Sequence, residues 1–138
     1  MANIIAIIWD FDKTLVDGYM QDQGVRVNKD SIYLNHFIQY ANEGIFEGLN
    51  NEMLRKFGSE LTFYPGIPEI FEKTRQIIRR NPAYQEYDIR VEHYIVSTGM
   101  KEIIAGSPVA EYVDAIWGCE LIEKEKEGRP VISEIGYT

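Results

Sequence analysis

Ile4-Ile5-Ala6-Ile7-Ile8-Trp9-Asp10-Phe11-Asp12-Lys13-Thr14-Leu15 is the stretch that decides the fold. Six apolar residues deliver two carboxylates to one loop. An uninterrupted run of this kind suits a central strand of a parallel sheet, apolar on both faces. Acids at the carboxyl end of such a strand sit where open α/β sheets bind ligands. Two aspartates two positions apart point to the same side in extended backbone. Like charges that close repel unless a cation or a shared proton relieves them. The simplest remedy is a hard divalent ion such as Mg²⁺, held through oxygen. An acid after an apolar run also caps helices and opens turns, so the pair needs support from elsewhere in the chain.

That support comes from Val91-Glu92-His93-Tyr94-Ile95-Val96-Ser97-Thr98-Gly99, a second β-prone segment that ends in small polar residues. A hydroxyl and the backbone N–H groups beside Gly99 can bind phosphoryl oxygens. Residues 100–105 read as a helix, whose N-terminus favours anions.

With both segments in view, Asp10-Phe11-Asp12-Lys13-Thr14-Leu15 resembles the first signature of the haloacid-dehalogenase-like (HAD) hydrolases, D-x-D-x-[TV]. The segment ending at Ser97 resembles the second, a strand closing on Ser or Thr. The likeness is nearest to the phosphoserine-phosphatase-like branch. It implies an α/β fold, a Rossmann-like parallel sheet flanked by helices, with a small helical cap inserted after the first strand. It further implies that Asp10 is the nucleophile and carries an aspartyl-phosphate, and that Asp12 is the general acid and base. Ser97, with Thr98 and Gly99 beside it, would bind the substrate phosphate. Mg²⁺ would be held by the Asp10 carboxylate and the Asp12 backbone carbonyl. Dehalogenating members lack the second Asp, so Asp12 favours phosphoryl chemistry. The chemistry is sound on its own terms. A carboxylate attacks phosphorus when a metal neutralises the phosphoryl oxygens, and a second carboxyl group protonates the leaving alkoxide and later activates water. Thr14 could orient Asp12 by a hydrogen bond or cap the following turn.

The chain departs from that pattern in two places. The family's charge-shielding Lys and its later metal-binding acids have no convincing match. Lys124 and Lys126 lie in Glu123-Lys124-Glu125-Lys126-Glu127-Gly128, which reads as a solvated hairpin tip. Asp114 precedes an apolar segment instead of following one. The expectation is therefore an N-terminal piece with the core incomplete at its carboxyl end and little turnover of its own. The alternative is an inactive phosphate-binding or regulatory module on the same fold.

Residues 1–15 and 63–138 are expected to form the core, and residues 16–62 the cap. Leu34, Phe37, Ile38 and Ala41 fall at helical spacing, with Gly44 as the stop, and a second short helix is expected over residues 51–57. Tyr19, Tyr33, Tyr40 and Phe46 could line a pocket or pack as core. Ile67, Ile70, Phe71, Thr74, Ile77 and Ile78 form an amphipathic stripe, with Pro68 in its first turn and Asn81-Pro82 at its end. Ser107-Pro108 reads as an N-cap opening a short helix to Tyr112. Residues 115–118 read as a third strand, and residues 119–122 and 130–135 as a hairpin.

The chain has 138 residues, 45% of them hydrophobic, which suits one compact domain. Its net charge of −8 argues against nucleic acid or an anionic membrane as partner. No apolar stretch approaches the roughly 20 residues of a membrane helix, and no basic region precedes the first apolar run. The single cysteine, Cys119, permits no internal disulfide and fits a reducing cytoplasm. It reads as a small buried hydrophobe. His36 and His93 match no zinc spacing with Cys119 and read as structural. The expected partner is a small phosphorylated metabolite. An incomplete sheet that exposes an edge allows homo-oligomers.

Overall fold

The structure, a computed structural model, describes residues 1–18 and 32–137. Tyr19 and the side chains of Tyr33 and His36 lie outside the described residues. Strand β1 (Asn3–Trp9) leads through the aspartate loop towards helices α1 (Ile32–Asn42) and α2 (Asn51–Ser59). Helices α3 (Glu69–Arg80) and α4 (Pro82–Glu86) follow, then strand β2 (Ile89–Met100) and helix α5 (Lys101–Gly106). A 3₁₀ turn at Ala110–Tyr112 leads to strands β3 (Ala115–Lys126) and β4 (Arg129–Tyr137). The four strands form one sheet in the order β1-β2-β3-β4, parallel as far as β3 and antiparallel at β4.

Strand β1 forms where the apolar run predicts, but at the edge of the sheet among the described residues, not at its centre. Ile4, Ile5 and Ile8 are 54%, 46% and 67% exposed. The expectation of burial on both faces is thus corrected. Periodicity reports that a strand suits apolar neighbours; it cannot report which neighbours are present.

The amphipathic stripe on α3 points Phe71 into the core, where it is fully buried and meets Trp9 edge-on at 5.7 Å. Ile77, counted in the same stripe, is 64% exposed. Asn81 closes α3 and opens α4, its side chain accepting from the Ala83 N–H with Pro82 at the first helical position. Ser107 ends α5 instead of opening a helix, and its hydroxyl donates to the Ile104 carbonyl at 2.6 Å. The third strand and the first hairpin arm are one continuous strand, β3. The tip at Glu127 and Gly128 turns with φ of 52° and 78°, the pair of positive values that tight hairpins require. Lys124 pairs with Glu134 across that hairpin at 2.7 Å, as a solvated tip would.

The core lies at the carboxyl ends of the parallel strands. Phe11, Leu15 and Val16 from the aspartate loop are fully buried there, with Ile95, Ile104 and Ile132. Phe46 meets the buried Phe37 at 5.4 Å and packs against the core, whereas Tyr40, edge-on to Phe46 at 6.0 Å, is 40% exposed at the margin of the cluster.

Candidate active site

Asp10 is exposed and Asp12 half-buried, while Phe11 between them is fully buried and meets Phe63 edge-on at 6.0 Å. One buried phenyl ring therefore anchors a loop whose acids flank it. The loop is held by backbone hydrogen bonds. The N–H groups of Thr14, Leu15 and Val16 all point to the Phe11 carbonyl, at 3.3, 3.1 and 3.1 Å. Lys13 N–H donates to Gly18, Asp17 N–H to Thr62, and Tyr64 N–H to Leu15. Short bridges join Asp12 to Val16 and Val16 to Phe63. Lys13 itself has φ of 56°, a left-handed conformation that costs a non-glycine residue about 1 kcal/mol or more and is typical of over-determined functional loops. Preorganisation of this kind is what a reactive carboxylate needs.

Thr14 donates its hydroxyl to Asp10 Oδ2 at 3.2 Å. The expected partner was Asp12. The tight turn at Phe11 carries Thr14 back over the start of the loop, so Thr14 orients the first acid.

Trp9 lies level with Ile95 in the parallel register, so Asp10 leaves β1 beside the residues that lead to Ser97. Adjacent strands are about 4.8 Å apart. The structure thus brings Asp10, Asp12 and Ser97 to the carboxyl ends of neighbouring strands. Gly99 N–H donates to Ser97 Oγ at 3.0 Å, which closes the turn. Ser97 is half-buried, Thr98 exposed and Gly99 buried. The β2–β3 register shifts between Val96 and Met100, where the backbone leaves the ladder. Gly118 lets this turn pack: a Cβ there would stand 2.9 Å from the Gly99 carbonyl oxygen and 3.0 Å from Lys101 Cα. Lys101 pairs with Glu120 at 2.5 Å. The sequence signal for Gly118 was a glycine inside a strand pattern, which marks close backbone approach.

His93, read as structural, supports the loop from beneath. It is fully buried, and its Nδ1 accepts from Trp9 Nε1 at 2.9 Å. With Nδ1 accepting, Nε2 carries the proton and donates to Thr74 Oγ1 at 2.7 Å, and the Thr74 hydroxyl in turn donates a hydrogen bond to the Phe71 carbonyl at 2.8 Å. The network holds the indole immediately before Asp10. Burial, then the nearby Arg75 guanidinium, pulls the His93 pKa below its ordinary value against the pull of Asp114. A folded pKa below the unfolded one gives stability that is present above about pH 6.5 and lost as pH falls. Chemical denaturation between about pH 7.5 and 5.5 should show this loss in the wild type. His93→Gln, which keeps an acceptor and a donor without titrating, should show a flatter profile. Equal slopes in both would remove His93 as the source.

Burial pushes the Cys119 thiol up, away from thiolate chemistry. A cavity of about 370 Å³ lined by Arg75, Arg79 and Arg90 opens at the amino end of β2, the opposite end from Ser97. Among the described residues no group of three His, Cys, Asp or Glu side chains converges as a metal cage. No helix among them is long and apolar enough to cross a membrane.

No family model matches the chain. It is similar to an uncharacterized protein of Borreliella burgdorferi, 33% identical over 148 aligned positions that cover 88% of this chain and 51% of that protein. The chain thus spans about half the length of that relative. Among solved structures it is similar to a phospho-aspartyl intermediate analogue of phosphoserine phosphatase, with a TM-score of 0.50, 18% identity, and coverage of 96% of this chain and 62% of that one. A HAD family hydrolase of Salmonella enterica serovar Typhi gives a TM-score of 0.49 at 16% identity, over 97% of this chain and 45% of that one. At 18% identity the likeness speaks for the fold. The fold is HAD-like: a mixed α/β, Rossmann-type architecture with a mostly parallel four-stranded sheet flanked by helices.

Proposed function

We propose that this chain carries the nucleophile half of an Mg²⁺-dependent phosphatase that hydrolyses small phosphate monoesters in the cytoplasm through an aspartyl-phosphate. The observation that supports it most is the hydrogen-bonded aspartate loop, which leaves β1 where Trp9 lies level with Ile95, two residues before Ser97 on the neighbouring parallel strand. Asp10 attacks phosphorus as the ester P–O bond breaks, and Asp12 gives its proton to the departing alkoxide. Asp12 then takes a proton from water, the water oxygen attacks phosphorus, and phosphate leaves with Asp10 regenerated. Ser97 Oγ and the turn's N–H groups hold phosphoryl oxygens. Thr98, exposed in the same turn, would add a hydroxyl.

Two carboxylate-bearing residues on one loop suit a hard cation in kind, since Mg²⁺ is commonly held by one or two carboxylates, waters and the substrate phosphate. Asp10 and Asp12 would hold it. When bound it would neutralise phosphoryl charge. Residues 16–62 would serve as the cap that reads the leaving group. The second reading is a phosphate-binding or regulatory module with little turnover on the same fold.

Release of phosphate from 4-nitrophenyl phosphate, measured with Mg²⁺ and after chelation, tests the first reading. Release above background with Mg²⁺ and none with chelator is expected. Metal-independent release would remove Mg²⁺ from the scheme. No release, together with phosphate binding that Ser97→Ala abolishes, would establish the module instead.

A further inference from the structure

Acids outnumber bases in this chain by 22 to 14, yet three of those 14 bases line one cavity. It is the cavity at the amino end of β2, walled by α3, α4 and the start of that strand. The described lining residues all fall between Arg75 and Val91, so one unbroken stretch of chain builds it. Strand β1 separates this part of β2 from the outer edge of the sheet. Two kinds of side chain meet here. Arg75 and Arg79 stand one turn apart on α3 with Ile78 between them, and positions so spaced share a helix face. Ile89 and Val91 alternate with Arg90 along β2, on the face that carries His93 against Phe71 of α3.

Ion pairs account for only part of this cluster. Arg75 holds Asp114 at 3.4 Å, longer than a normal hydrogen bond. Arg79 holds Glu72 at 2.9 Å on open surface, where such a pair contributes little. Arg90 holds Asp88, the one acid among the described lining residues, at 3.4 Å. Each guanidinium commits one of its five N–H donors to these pairs. Like charges gathered around a cavity repel unless an anion relieves them. The remaining donors form planar forks of the shape that binds the oxygens of phosphate or carboxylate. Two guanidinium groups on one helix face favour phosphate, which brings a double charge and three terminal oxygens where a carboxylate brings one charge and two. A volume of about 370 Å³ sits near the lower end of ligand pockets, which run from about 300 to 1,000 Å³, so the guest is small.

We infer that this cavity binds a small organic phosphate, with the phosphate dianion on Arg75 and Arg79 and the apolar body of the molecule against Ile78, Ile89 and Val91. The site lies at the opposite end of β2 from Ser97 and does not depend on the phosphatase reading. Arg75 also ties it to the rest of the molecule, because Asp114, its partner, accepts the His93 N–H at 2.8 Å.

Equilibrium dialysis of the chain against phenyl phosphate, without Mg²⁺ and with chelator present, should show saturable binding that weakens as salt rises. Arg79→Gln should weaken it at least about tenfold. This variant loses only the exposed pair with Glu72, so its circular dichroism spectrum and unfolding midpoint should match wild type. Arg75→Gln should weaken binding by a similar factor if it folds, but it also frees Asp114, so Arg79→Gln carries the test. Ser97→Ala should leave the affinity unchanged. Benzoate, with the same ring and a single carboxylate, should bind at least about tenfold more weakly than phenyl phosphate. The absence of saturable binding overturns the inference. Binding that Ser97→Ala abolishes and Arg79→Gln spares overturns it too, by placing the phosphate at the other end of β2. Benzoate binding as tightly as phenyl phosphate overturns it equally.

Discussion

Asp10→Asn is expected to lower phosphate release by about 10³-fold or more while leaving the fold intact. The two halves of that statement rest on different observations. Asp10 is exposed, and its one described side-chain hydrogen bond is received from Thr14 at 3.2 Å. An amide oxygen accepts the same bond, so stability should change by no more than about 0.5 kcal/mol, as at most exposed sites. An amide cannot attack phosphorus and hold it as an acyl phosphate, so the covalent path closes. Asp12→Asn should behave differently. It removes a proton carrier, worth roughly 10²–10⁴, and the loss should depend on the leaving group. An aryl oxide departs with little help, whereas an alkoxide needs the proton. Asp12→Asn should therefore spare the bond-breaking step with 4-nitrophenyl phosphate more than with an alkyl ester. Retention of the wild-type rate in Asp10→Asn, with unchanged thermal stability, would end the case for a nucleophile at this position.

Much of this site is legible because its signals are local. The apolar run ends where β1 ends, and the acids follow at once. Phe11 occupies the alternate position between them, and its burial holds the acids outside the core. The α3 stripe and the Gly128 turn carry their own periodicity and φ requirement. What escaped is long-range. Thr14 turns to Asp10 because three N–H groups converge on one carbonyl, a geometry no spacing rule contains. The edge position of β1 depends on which strands lie beside it. His93 could be read as structural, but its role beneath Trp9 joins residues 84 positions apart.

The contact between α2 and α5 is the plainest case of such hidden information, and it carries the largest expected effect on stability. Two glycines, Gly58 and Gly106, let these helices touch backbone to backbone. A Cβ on Gly106 would stand 2.0 Å from the Arg55 carbonyl oxygen and 2.4 Å from Arg55 Cα. A Cβ on Gly58 would stand 1.9 Å from the Ile103 carbonyl oxygen. These neighbours are main chain, so no rotamer change relieves the clash, and the helices must separate. In an unpacked helix Gly58→Ala would add about 1 kcal/mol of stability. Here the sign should reverse, and each alanine variant should cost about 3 kcal/mol, at the upper end of ordinary overpacking. The consequence reaches the site, because α5 begins at Lys101, two residues after Gly99, and Gly118 already leaves that turn no slack. Moving α5 therefore moves the Ser97–Gly99 turn against the aspartate loop. Denaturant titration of Gly58→Ala and Gly106→Ala, beside the exposed control Lys73→Ala, should show both glycine variants unfolding far earlier and the control within about 0.5 kcal/mol of wild type. A Gly58→Ala protein more stable than wild type would mean that the two helices do not meet at this point.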